Sequence, residues 1–146
     1  MGPKFILLVE DNPDDQVLTL RALKQADPAI EMRVVHDGNE AINFLTGAGS
    51  YAGRELRQLP RLVLLDLKLP KIDGMEVLRR LRADARTRLL PVVMLTTSTE
   101  ERDIAGCYLN GANSYIRKPV DFAQFSSTLC QVAHYWLEVN EPPPLP

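Results

Sequence analysis

Side chains of complementary chemistry recur at the ends of short apolar runs. Glu10 and Asp11 follow Phe5 to Val9, and Asp66 follows Leu62 to Leu65. Thr96 follows Val92 to Leu95, and Lys118 lies just beyond Ser114 to Ile116. Carboxylates brought together repel one another and need a cation. An all-oxygen set that keeps several waters suits Mg2+ better than zinc. Asp11 and Asp66 are the expected direct ligands, with the Lys68 backbone carbonyl as a third and Glu10 holding a coordinated water. A lysine ammonium pairs as a point charge with a carboxylate or a phosphoryl oxygen, and the Thr96 hydroxyl can hydrogen-bond the same oxygen. A nucleophilic carboxylate, a metal, a cation and a hydroxyl serve phosphoryl transfer: metal and Lys118 neutralise charge while Asp66 attacks in line. Taken singly, each acid could be a solvated strand end and Lys118 a surface lysine. Thr96 alone could cap a helix, a role for which Thr97, Ser98 and Thr99 compete. The Lys118–Pro119 bond is a candidate for the cis form, which would fix the loop.

The runs that carry these residues, together with Met32 to Val35, mostly lack polar alternation. Unbroken apolar strands are what a parallel sheet covered on both faces requires. Helical patterns lie between them. Asn12-Pro13 opens the first, because Asn caps and Pro suits the first turn. Asp37-Gly38 opens the second, with Ala41, Ile42 and Leu45 on one face, and Gly47 and Gly49 end it. The third runs from about Gly74 through Leu81, with Asp73 as a turn. The fourth runs from about Thr99 to Leu109. The fifth starts near Asp121, with Phe122, Phe125, Leu129, Val132 and Trp136 as its apolar stripe. Five strands alternating with five helices read as a doubly wound α/β sheet. In such sheets ligands bind beyond the carboxyl ends of strands, which is where the chemistry-bearing residues fall. Two stretches lie outside this scheme. The connection from Gly47 to Pro60, with Tyr51, Arg54, Arg57 and Leu59, has a length typical of functional or mobile loops. The tail from Glu141 to Pro146 is expected to be extended and exposed.

Composition narrows the alternatives. The chain has 146 residues, 45% hydrophobic and 25% charged, with a formal net charge of −2. That is enough apolar material for one core, and the charge gives no reason to expect nucleic acid or an anionic membrane as partner. No apolar run approaches the ~20 residues that span a bilayer, and no cleavable signal pattern opens the chain, so a cytoplasmic location is expected. Cys107 and Cys130 lack metal-ligand spacing and read as reduced, structural residues. His36 and His134 read as surface or helix-face residues.

Four segments resemble the response-regulator receiver family: ILLVEDNPDD (Ile6 to Asp15), LVLLDLKLPKIDG (Leu62 to Gly74), PVVMLTTS (Pro91 to Ser98) and GANSYIRKP (Gly111 to Pro119). The resemblance covers about residues 4 to 137, leaving a Pro-rich tail over 138–146 and no room for an output domain. It implies the flavodoxin-like, CheY-like sheet order 2-1-3-4-5. It also implies roles: Asp66 as phosphoacceptor, Glu10 and Asp11 as the acidic pair at the Mg2+ site, Thr96 as the switch hydroxyl and Lys118 as the family lysine. Tyr115 matches the aromatic switch position, whose ring turns inward when Thr96 moves toward the phosphoryl group. Glu10 stands where Asp is commoner. Lys68 occupies a variable position that influences dephosphorylation. The family catalyses its own phosphorylation from a phosphohistidine and its own hydrolysis, but is not usually called an enzyme.

The long loop, the segment His134 to Leu137 and the lone-domain layout resemble the subgroup that partners phytochrome-type histidine kinases. Such a domain signals through its own surface. A homodimer through the fourth and fifth helices and the C-terminal segment is expected, with Phe122, Tyr135 and Trp136 at the interface, since aromatics favour interfaces. A downstream phosphotransfer protein is a further candidate partner. Rival readings fit less well. A hydrolase would need a second carboxylate beside Asp66, where Leu67 and Lys68 stand. A flavin carrier would need a phosphate loop where Glu10 to Pro13 is acidic. A phosphorylation-independent binding module on the same fold is the remaining alternative.

Overall fold

Aliphatic runs with no polar break can be buried only inside a sheet that is covered on both faces. In the computed structural model, which describes residues 4–53 and 58–145, the elements are β1 (Phe5–Val9), α1 (Pro13–Ala26), β2 (Glu31–Val35), α2 (Gly38–Thr46), β3 (Leu62–Leu65), α3 (Gly74–Ala83), β4 (Val92–Thr96), α4 (Glu101–Leu109), β5 (Ser114–Arg117) and α5 (Phe122–His134). Every position of β1, β3 and β4 is buried. The five strands are all parallel in the order β2-β1-β3-β4-β5. The edge strands β2 and β5 are only partly buried. One face packs Leu7, Val9, Val63, Leu65 and Met94 against α2, α3 and Cys107 of α4. The other packs Ile6, Leu8, Leu64 and Leu95 against α1 and α5.

The helix starts follow side-chain capping. Asn12 Oδ1 accepts from the amides of Asp14 and Asp15 at 2.9 and 3.1 Å. Asp37, Asp73 and Asp121 each accept from the amide three residues on. Gly47, at φ 70°, closes α2 in the left-handed conformation that glycine adopts without cost. The fourth helix starts at Glu101, later than Thr99, and its preceding residue makes no side-chain cap. Ser98 Oγ instead donates to Asp103 Oδ2 at 2.6 Å.

Three further features depart from the sequence reading. Part of the Gly47 to Pro60 stretch is folded: Gly49–Tyr51 forms a 3-10 turn. There the Tyr51 ring meets Phe44 edge-on at 5.1 Å, while Arg54 and Arg57 lie outside the described residues. A π-helical turn over Tyr135–Val139 extends α5. The tail is extended but not simply exposed: Pro142 and Pro143 are half-buried, and Leu145 packs against the core face covered by α2 and α3. An apolar side chain within reach of that face gains more by covering it than by facing water.

At the amino-terminal ends of β4 and β5, Arg82 ties three segments together. Its Nε donates to the Gly111 carbonyl at 2.9 Å, Nη1 to the carbonyls of Leu90 (2.8 Å) and Arg88 (3.0 Å), and Nη2 to Asn113 Oδ1 (3.0 Å). Both cysteines are free. Burial pushes the Cys107 thiol up to about 11, while Cys130 is exposed.

Candidate functional site

The sheet ladder continues one residue past β1 and β3. Glu10 N–H donates to the Val35 carbonyl and Asp66 N–H to the Val9 carbonyl, both at 3.1 Å. The two acids therefore leave adjacent parallel strands at the same level. The chain then turns tightly into α3, where Gly74 N–H donates to the Leu67 carbonyl at 2.8 Å. A Cβ at Gly74 would run into the Asp66 carbonyl oxygen, so only glycine lets α3 start this close to the acid.

One carboxylate oxygen each from Glu10, Asp11 and Asp66 lies within 4.8 Å of the others. Glu10 is 1% exposed and Asp66 8%, whereas Asp11 is open to solvent. A hard-oxygen set with one wet side fits a hydrated divalent ion such as Mg2+. Lys118 reaches in from the far end of β5, and its Nζ meets Glu10 Oε1 at 2.6 Å, Asp15 Oδ2 at 3.0 Å and Asp66 Oδ2 at 3.3 Å. Glu10 Oε2 also accepts from Asn12 N–H at 3.2 Å, and the Glu10 carbonyl accepts from Gln16 Nε2 at 2.6 Å. Gln16 Nε2 lies 2.9 Å from Nδ1 of the exposed His36. The Lys68 amide lies 3.4 Å from Asp66 Oδ1. Thr96 is fully buried at the end of β4. The half-buried Tyr115 donates its hydroxyl to the Ser98 carbonyl at 2.9 Å, so its ring is tied to the loop that follows Thr96. No cis peptide occurs among the described residues, so Lys118–Pro119 is trans, against expectation. The Lys118 amide donates to the Thr96 carbonyl at 2.7 Å, which fixes the loop without that isomer.

Sequence reasoning thus names Glu10, Asp11, Asp66, Thr96, Tyr115 and Lys118, and the structure brings them to one sheet edge. It misses Asp15, Gln16, Ser98 and Asp103. Asp15 lies in the first turn of α1, four residues after Asp11, a closeness in the chain that could have drawn attention to it.

The family model described as "Response regulator receiver domain" matches residues 6–129. The chain belongs to the response regulator receiver family. This receiver is 41% identical over 144 residues to the probable methanogenesis regulatory protein FilR2 of Methanothrix harundinacea, covering 97% of this chain and 88% of that one. It is 38% identical over 136 residues to response regulator Rcp1 of Synechocystis, covering 93% and 90%. The Mn2+-bound form of Rcp1 has a TM-score of 0.88 at 36% identity, covering 97% and 100%. The phosphorylated cyanobacterial phytochrome response regulator RcpA reaches 0.90 at 38% identity, covering 98% and 100%. Among the described residues, no helix of this receiver is long and apolar enough to cross a membrane.

Burial raises the Glu10 pKa to about 7; the bond to Lys118 opposes the shift, and the Asp66 charge adds to it. Burial works against the Lys118 charge, but Glu10 and Asp66 outweigh it and raise its pKa. A raised carboxylate pKa means that the folded protein holds its proton more tightly than the unfolded chain does. In EDTA, the Glu10 contribution to stability should be complete below pH 4.5 and be lost as pH rises through about 7. Urea unfolding at pH 5 and pH 8 checks this: a higher midpoint at pH 8 attributable to Glu10, absent in Glu10→Gln, would contradict it.

Proposed function

We propose that this receiver takes a phosphoryl group from a histidine kinase onto Asp66, with Mg2+ at the acidic cluster. An Asp66 carboxylate oxygen forms the new bond to phosphorus. The bond from phosphorus to the donor histidine nitrogen breaks, and its electron pair stays on that nitrogen. The bound Mg2+, held by Asp11, Asp66 and the Lys68 carbonyl, with Glu10 through a water, would supply charge neutralisation. Lys118 gives an N–H to a phosphoryl oxygen, and Thr96 offers its hydroxyl to another. Movement of Thr96 toward the phosphoryl group is passed to Tyr115 through the loop containing Ser98. The same site later supports attack by water and autodephosphorylation. The observation that carries this reading is the Lys118 ammonium, its side chain 8% exposed, lodged among Glu10, Asp15 and Asp66, an arrangement that serves an incoming anion.

The test is incubation with Mg2+ and acetyl phosphate followed by intact-mass analysis. One added phosphoryl group is expected, absent in EDTA and removed by hydroxylamine, which cleaves acyl phosphates. No gain, either here or with an active cognate kinase, would favour a phosphorylation-independent binding module instead.

The kinase is proposed to be of the phytochrome type, a reading supported by the similarity to RcpA. The receiver unit is taken as residues 4–137. Its output is proposed to run through a homodimer or a downstream phosphotransfer protein. Tyr135 is 47% exposed, and Trp136 is half-buried and meets its ring at 5.1 Å. Phe122 is more occupied: it packs on the core under the Arg21 guanidinium. Sedimentation of Trp136→Ala against the parent should show a dimer weakened about tenfold or more by loss of an aromatic anchor; monomers in both would end the dimer proposal.

A further inference from the structure

A lysine ammonium has three N–H donors. In this structure all three have a carboxylate partner, and the third partner is Asp15, which is not one of the acids that cluster for a metal. Asp15 belongs to the first turn of α1, where its amide is held by Asn12 Oδ1 at 3.1 Å. Its backbone is therefore fixed, and its carboxylate holds the Lys118 ammonium from the α1 side. At 3.0 Å it is nearer to Nζ than Asp66 is at 3.3 Å.

A phosphoryl group arriving on Asp66 needs an N–H from Lys118. Glu10 is 1% exposed, so water cannot readily take the place of the lysine there. Asp15 is 35% exposed, and water can replace the lysine there. It also borders a cleft of about 70 Å3, shared with Leu18, Lys118 and Phe122. Three carboxylates, those of Glu10, Asp15 and Asp66, pair with one ammonium, and Asp11 brings a fourth within 4.8 Å of Glu10 and Asp66. An incoming phosphoryl donor is anionic and meets this surplus of negative charge.

We propose that Asp15 is a positioning residue that competes with the phosphoryl group for Lys118 and so sets how readily the site accepts a phosphoryl donor. The inference rests on the phosphoacceptor reading of Asp66. Asp15→Asn keeps the shape and a hydrogen-bond acceptor but removes the charge. Saturation with acetyl phosphate in Mg2+, followed by intact mass, separates half-saturating donor concentration from limiting rate. Loss of one partly screened unit charge near the donor should lower the half-saturating concentration about fivefold and leave the limiting rate within about twofold. Asp15→Glu, which restores a carboxylate, should return to the parent value. In the unphosphorylated protein, the 15Nζ resonance of Lys118 should move in Asp15→Asn and not in Asp14→Asn, a readout that general loosening of α1 would not reproduce. An unchanged or raised half-saturating concentration in Asp15→Asn, or a Lys118 resonance that does not move, overturns the proposal. If the parent itself gains no phosphoryl group, the Asp66 reading fails and takes this one with it. If the parent is modified and Asp15→Asn behaves identically, only the role of Asp15 falls.

Discussion

Asp66→Asn should gain no phosphoryl mass under conditions that fully convert the parent. The amide has almost the shape of the carboxylate, but its oxygen is not nucleophilic enough to form the bond to phosphorus. The fold should survive the change. Lys118 keeps Glu10 and Asp15 as partners, and the Asn oxygen still faces the Lys68 amide. One negative charge leaves a crowded cluster, so stability should stay level or rise by less than about 1 kcal/mol. Intact mass and a urea titration on the same preparation check both halves. Phosphoryl uptake by the variant would mean that another side chain is the acceptor. A collapse of stability would mean that Asp66 holds the loop together and that the loss of uptake carries no chemical information.

The second large effect lies at the other end of the strands. Arg82→Met should cost about 3 kcal/mol or more, because it strands several carbonyls that the guanidinium now serves. Arg82 links α3 to the segment before β4 through Arg88 and Leu90, and to the turn before β5 through Gly111 and Asn113. Asn113 Oδ1 in turn accepts from Val92 N–H at 2.8 Å, so the clamp reaches the first residue of β4. Burial lowers the Arg82 pKa, but arginine starts so high that it stays charged at any working pH. Lysine cannot reproduce a planar fork aimed in several directions, so Arg82→Lys should recover less than half of the loss. An unfolding free energy from urea titration within about 1 kcal/mol of the parent for Arg82→Met would show that water replaces these bonds cheaply.

Arg82 also marks the limit of what the sequence reveals. Its partners lie up to 31 residues away, and nothing in their spacing announces them. The central strands are legible because burial on both faces leaves a continuous apolar signature, as in Leu62–Leu65. The edge strand β5 reads weakly because Ser114 to Arg117 is partly open to water and needs no such signature. The start of α4 is misplaced because Ser98 turns its hydroxyl to Asp103 instead of capping a helix that begins at Thr99. The site is legible where strand ends dictate position, as for Glu10, Asp11 and Asp66. Asp15 is hidden because its partner, Lys118, is 103 residues away and reaches it only once the sheet has formed. The contact of Leu145 with the core is hidden for a related reason: a proline-rich tail carries no periodic pattern to show where this side chain comes to rest.

The strand order has a consequence for how the molecule is made. β1 leaves the ribosome first, yet both its neighbours, β2 and β3, follow it in the chain, and β4 and β5 then add outward one at a time. Synthesis and sheet growth can therefore run in the same direction. Glu10, Asp11 and Asp66 are all in place once β3 has paired with β1, while Lys118 arrives only with β5. A nascent chain that folds in this order passes through a stage in which three acids face one another without their lysine. At that stage a divalent ion in the surrounding medium would act as a stand-in counter-charge, and refolding should be faster with Mg2+ than with EDTA.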